Sequence, residues 1–309
     1  MGAEDQGWQG FSYYHWKDLA AVRARLEAGA DPDGGLRWGA PLHTAVEFGT
    51  VEVVAELAGR VRDVDQVVRG HTALWAAVHA GDRESARVLL AAGADPLRPM
   101  MSGWSPARLS LTTAHVIPSD EVLTQAEWEA AAECGRLVAA LKDIPFFDGY
   151  SLACVAGVGA ADVIRLLDAE IVSADEAEQM VEDRSEFVAA VTDVPGGSIL
   201  MQPEYFLAST PVVMKTLTAG TVGYGMYANP KSGNQGNSHR DGEIIGWDLH
   251  PGGGPDEDGD TAEVLMKHLY KGRAVAFCCA YAGVRPTNAK AFTEPDQWIV
   301  LPDRDYWSA

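Results

Sequence analysis

The chain has 309 residues, of which 47% are hydrophobic and 22% charged, an ordinary globular composition with room for two domains of about 150 residues each. A net charge of −20 repels phosphate backbones and anionic lipid, so nucleic acid and membrane are set aside as partners and a basic protein or peptide is favoured. The plainer reading is that the acidity serves solubility alone. The longest strongly apolar run, Ala274 to Val284, is short of the roughly 18 residues needed to span a bilayer. The first residues carry no secretory pattern, and Gln6 stands where a myristoylation motif has Ser or Thr, so a cytoplasmic protein is expected.

From about residue 8 a pattern recurs. Ala40-Pro-Leu-His-Thr-Ala-Val-Glu-Phe-Gly aligns with Thr72-Ala-Leu-Trp-Ala-Ala-Val-His-Ala-Gly, Gly49 and Gly81 lying one period apart. Leu26-Glu-Ala-Gly-Ala-Asp-Pro returns as Leu90-Ala-Ala-Gly-Ala-Asp-Pro, and Gly103-Trp-Ser-Pro-Ala opens a copy that soon departs from the pattern. Leu42, Ala45 and Val46, then Leu74, Ala77 and Val78, sit at helical spacing. Val53, Val54 and Leu57, then Ala86, Leu89 and Leu90, repeat that spacing in a second helix. Pro after Ala, Ser or Thr suits a first helical position, and Gly49 and Gly81 suit a left-handed exit.

These motifs, over about residues 8 to 112, resemble the ankyrin-repeat family, with a period near 33 residues and two helices per repeat. Two departures stand out: Trp38 replaces a usual Gly in repeat two, and Lys17 replaces the inter-helix Gly of repeat one. The resemblance implies binding through the loop tips and the outer face of the first helices. At those positions stand Arg37, Trp38, Glu47, Phe48, Arg69, His71, His79 and Trp104. Trp38 and Trp104 have a second reading, as side chains packed on a neighbouring repeat or on the following domain. His43 occupies a position where such repeats hold a histidine bonded to its own loop, and is read as structural.

The segment 125–141 reads as a strong helix, either the delayed second helix of repeat four or a cap, with Pro118-Ser-Asp before it. Residues 142–149 mark the domain border, so the expected parts are a repeat domain with capping helix at 1–142 and a second domain at 143–309. In the second, strands are expected at Ser151–Ala156, Gly197–Gln202, Val222–Tyr227, Glu243–Leu249 and Ala274–Cys279. Helices are expected after Gly157-Val-Gly, through Asp175–Met180 and on to Ser185–Val188, at Thr210–Leu217 and at Asp260–Leu269. Arg240-Asp-Gly is hairpin-turn chemistry. The fold class expected is thus an N-terminal all-α repeat solenoid followed by an α+β domain with a mainly antiparallel sheet. The stretches Cys154-Val-Ala-Gly-Val to Leu166-Leu-Asp-Ala, Gly197–Ser209, Pro211–Thr221, Tyr227-Ala-Asn and Arg240-Asp-Gly resemble a domain of unknown function common in actinobacterial proteins. No reaction comes with that resemblance.

Cys134, Cys154, Cys278 and Cys279 form no metal or redox spacing and read as buried reduced thiols. Gly157-Val-Gly159 has Asp162 where a dinucleotide fingerprint needs its third glycine. The run from Asp256 has Thr261 and Lys267 where a calcium loop needs Gly and Glu. No cofactor-binding or metal-binding pattern is evident. The polar stretch Asn229–Gly242 reads first as a mobile hairpin connection. It is also the one candidate pocket, with Tyr224, Asn229, Lys231, His239 and Asp241 as its polar groups, His239 and Asp241 sharing a strand face as an acid–base pair. The leading function is an interaction protein in an immunity, regulatory or adaptor role. The alternative is an enzyme whose site lies in the second domain or the inter-domain cleft, with the repeats recruiting a peptide or natural-product substrate.

Overall fold

The computed structural model describes residues 7–34, 39–145, 147, 149–254 and 258–308. In chain order the helices α1 (Leu19–Glu27), α2 (Pro41–Phe48), α3 (Val51–Ala58), α4 (Ala73–Ala80), α5 (Arg83–Ala91), α6 (Pro106–Ser110) and α7 (Gln125–Ala140) come first. There follow β1 (Tyr150–Ala156), α8 (Ala160–Leu166), β2 (Glu170–Val172), α9 (Ala174–Glu182), β3 (Val188–Val194) and β4 (Gly197–Pro203). The remainder is α10 (Pro211–Leu217), β5 (Val222–Asn229), β6 (Gly233–Arg240), β7 (Glu243–Asp248), α11 (Thr261–Leu269), α12 (Ala274–Ala282), α13 (Lys290–Thr293) and β8 (Gln297–Val300). Two compact units emerge, one from residues 1–129 with 255–268 and one from 130–254 with 269–309. The sequence suggested a single cut at 142/143; here the division falls at 129/130 and α11 belongs with the repeats except for its last residue. Among the described residues, no helix is long and apolar enough to cross a membrane.

In the first unit α2, α4 and α6 form one row and α1, α3 and α5 the other. Each helix has a local reason to start. Pro41 and Pro106 open α2 and α6, where a missing N–H costs nothing. Thr72, Asp82 and Ser105 each accept the N–H three residues on, capping α4, α5 and α6. Gly81 ends α4 at φ 72°, a conformation that favours glycine. Leu42, Leu57, Leu74, Ala77 and Leu89 are buried between the rows. Repeat one is abbreviated: its first helix is a 3-10 turn, Tyr13–Lys17, after which the Asp18 carboxylate caps α1.

Hydrogen bonds repeat with the sequence. The Asp33 carboxylate accepts Arg62 N at 3.0 Å, and Asp65 accepts Asp95 N at 3.0 Å. His43 Nε2 donates to His71 O at 3.1 Å, and Trp75, one repeat later, donates its indole N–H to Trp104 O at 3.1 Å. Thus His43 is structural, but it ties to the loop of the next repeat rather than its own. Burial pushes its pKa down to about 4, which keeps the ring neutral. After α6 the chain does not return as a second helix against α5. Residues 113–118 pass there instead, leaving a hollow of about 300 Å³ lined by Val78, Ala86, Leu90, Val116 and Ile117 among others.

The second unit is built on one eight-stranded sheet in the order β2-β8-β3-β4-β1-β5-β6-β7, with every neighbouring pair antiparallel. One face presents Ala153, Val155, Ala189, Val191, Leu200 and Ile299 to Val163 of α8 and to Val213, Met214 and Leu217 of α10. The other presents Cys154 and Tyr224 to α12, with Cys154 Sγ 3.7 Å from Cys279 Sγ and the Tyr224 ring edge-on to Phe277. The thiols of Cys154, Cys278 and Cys279 are buried; the contact with Cys279, then burial, raises the pKa of Cys154, and burial raises that of Cys278.

Three expectations are corrected. Ala274–Cys279 is helical, not a strand: alanines are strong helix formers, and Gly283 supplies the left-handed exit at φ 77°. Both Cys278 and Cys279 are buried on this helix. Helix α9 stops at Glu182, and Val188 already belongs to a central strand, β3, so no helix reaches Ser185–Val188. The polar stretch 233–240 is strand β6, not a mobile connection. Its glycine content has a packing cause, since a Cβ at Gly236 would sit 2.5 Å from the Tyr224 hydroxyl oxygen. Strands β2, β3 and β8 were not anticipated.

Candidate recognition surface and the polar residues of the second unit

The first-helix row of the repeats is open at one end and closed at the other. At the open end Tyr13 and Tyr14 are 47% and 78% exposed, and Tyr13 stands edge-on to Phe48 at 5.2 Å. Glu47 is exposed beside Phe48, and the Lys17 ammonium lies 4.8 Å from the Tyr13 ring centre. Arg69 is exposed at a loop tip with φ 50°. His71 is half-buried, with Nδ1 bonded to Arg69 O at 2.8 Å, and shapes that loop. Arg37 and Trp38 lie outside the described residues.

At the other end the segment carrying α11 covers the row. Trp104 is 0% exposed; its indole donates to Thr261 O at 2.9 Å, and Arg108 stacks 4.5 Å from its ring centre. Ser102 Oγ donates to Gly259 O, and Thr261 Oγ1 returns a bond to Ser102 O. His79 is buried, stacked on Trp75 at 5.0 Å, with Nδ1 3.1 Å from His268 Nδ1. His268 Nε2 in turn meets Thr112 Oγ1 at 3.0 Å. The expectation that Trp104 and His79 face a partner is therefore corrected: a segment more than 150 residues away in sequence occupies that place. Tyr13 and Tyr14 were missed, although two adjacent tyrosines in the short first turn of repeat one were the available signal.

The polar residues suggested as a pocket do not converge. In the β5–β6 register Tyr224 pairs with Ser238 and His239 with Gly223, so Tyr224 and His239 point to opposite faces. Tyr224 donates to Asp248 at 3.2 Å under α12, and burial raises its pKa. His239 is fully buried on the face of α10, and neither ring nitrogen has a partner among the described residues. Burial lowers its pKa to about 4, against a smaller raising effect of Glu243, so the ring is neutral at pH 7. Asp241 is outside β6, in the turn with Gly242, both at positive φ, and shares no strand face with His239. Asn229 spends its Oδ1 on the N–H groups of Lys231 and Ser232 at the far end of the hairpin, where Lys231 is exposed. The acidic run from Asp256 lies partly outside the described residues.

With that geometry in place, the likeness to known proteins is limited and specific. Residues 14–99 match the family model for ankyrin repeats, in three copies. Among curated proteins, none matches this chain.

Proposed function

We propose that the ankyrin repeats of this chain hold a protein or peptide partner, and that the open end of the first-helix row is where it docks. The reading rests above all on the exposed rings of Tyr13 and Tyr14, backed by the half-buried Phe48 and beside Glu47. Aromatic side chains give large contact area for little lost rotamer freedom, which is why they anchor interfaces. Arg69 extends the surface to a loop tip, and the net charge of −20 draws a partner rich in Lys and Arg. The protein acts in the cytoplasm as an adaptor or regulator, immunity proteins included.

Affinity capture tests this with three full-length baits: wild type, Tyr14→Ala/Phe48→Ala, and Trp128→Ala as a control on an exposed aromatic of α7. A partner retained by wild type and by the control is lost by the double variant. Equal retention by all three overturns the surface.

A further inference from the structure

Four aromatic rings converge on one small hollow of the second unit, and they come from four separate places in the sequence. Tyr227 stands on β5, Trp247 on β7, Phe206 before the 3-10 turn Leu207–Ser209, and Trp307 near the C-terminus. The hollow is about 190 Å³, below the 300 Å³ or so from which small-molecule and cofactor pockets begin, and the right size for one side-chain head. Phe206 meets Tyr227 at 6.0 Å and 82°, and Trp307 at 5.2 Å and 53°. Rings set so steeply to each other make a corner and not a platform. A corner suits a compact, roughly spherical group; a flat sugar ring needs a parallel face.

Polarity selects the sign. The aromatic faces carry partial negative charge. Asn237 also lines the hollow and is 5% exposed; its Nδ2 donates to Ser209 O at 3.0 Å. That bond fixes the amide, leaving Oδ1 as a buried acceptor without a partner among the described residues. A bare carbonyl oxygen behind the hollow wall disfavours an anion there and favours a cation. A second hollow of about 240 Å³ shares Phe206 and Trp307 with the first and is lined also by Glu186 and by Asp305, whose carboxylate accepts the Trp307 and Ser308 N–H groups. Arg304, the one cation among the described residues that line that hollow, is turned to Asp168 at 3.4 Å and to the ring of Tyr306 at 5.2 Å. Trp247 and Trp307, 66% and 55% exposed, leave the walls open to an incoming chain.

We infer that this aromatic corner is a binding site for the ammonium head of a lysine side chain presented by a basic peptide. The site belongs to the second unit and does not rest on the repeat surface.

The test is 15N-indole NMR on the full-length protein, titrated with acetyl-Gly-Lys-Gly-amide, its norleucine counterpart, methyl glucoside and tetramethylammonium. The lysine peptide moves the Trp247 and Trp307 indole signals saturably, and Trp307→Ala weakens it about tenfold, as expected for loss of a cation–π wall. Trp247→Ala gives a second reading, and unchanged signals from the other tryptophans show that both variants fold. Equal affinity for norleucine overturns the cationic assignment, and preference for the glucoside overturns the ligand class. Tetramethylammonium binding without the lysine peptide overturns the peptide source, and no response to any probe overturns the site.

Discussion

The two ends of the first-helix row carry related sequence and meet opposite surroundings. Around Tyr13 and Tyr14 the row is exposed, with Phe48 half-buried beside them, whereas around His79 and Trp104 it is roofed by α11. Position within a repeat therefore does not decide whether a side chain is free to bind. What decides it is whether a remote part of the chain comes back, and here the return at 258–268 turns a would-be recognition face into core.

The comparison breaks first at Trp104. If it is core, Trp104→Ala costs about 3–5 kcal/mol in the repeat unit, read from the hydrogen exchange of α4 and α6. A loss under about 1 kcal/mol would mean that the roof is not closed.

Acid sharpens the comparison between the two units, since each holds a buried histidine whose pKa burial lowers. His43 and His239 both have folded-state pKa values lowered to about 4 from an ordinary 6.5. The unfolded chain thus binds protons that the folded one refuses. The stability due to each is complete above pH 6.5 and is lost as pH falls from 6.5 to about 4, at up to ~1.4 kcal/mol per pH unit. His43→Gln, which keeps a donor for His71 O, flattens the profile of the first unit alone, and His239→Leu that of the second alone. Exchange rates measured against pH separate the two.

A smaller effect is expected at the roof itself. His268→Ala removes the bonds to His79 and Thr112 and costs about 1–2 kcal/mol, seen as faster exchange of the Trp104 indole proton. At the bare end Tyr14→Ala changes stability by less than about 0.5 kcal/mol, in urea unfolding at neutral pH.

How much could be read from the residues follows the same divide between near and far. The helices α2 to α5 were legible because their apolar spacing, the Thr72 and Asp82 caps and the Gly81 exit act within one turn of the residues that form them. Gly49, at φ −88°, does not make the left-handed exit expected of it. The same holds for α10 with Pro211 and for the Asp241-Gly242 turn. Strand β6 was not legible, because Gly, Asn, Ser and His are poor strand formers. Its place is set by pairing between β5 and β7 and by the Tyr224 ring crossing Gly236. The run at Ala274 was ambiguous, since nine apolar residues fit a buried strand or a buried helix. The aromatic corner was invisible in advance because Phe206, Tyr227, Trp247 and Trp307 share no spacing and meet only through the sheet.

Hydroxyl-radical footprinting of the free full-length protein bears most directly on the contrast between bare and roofed ends. Tyr14 and Tyr13 should be oxidised at least about tenfold faster than Trp104, despite the greater intrinsic reactivity of an indole. Oxidation of Trp104 at a rate matching Tyr14 would contradict the account.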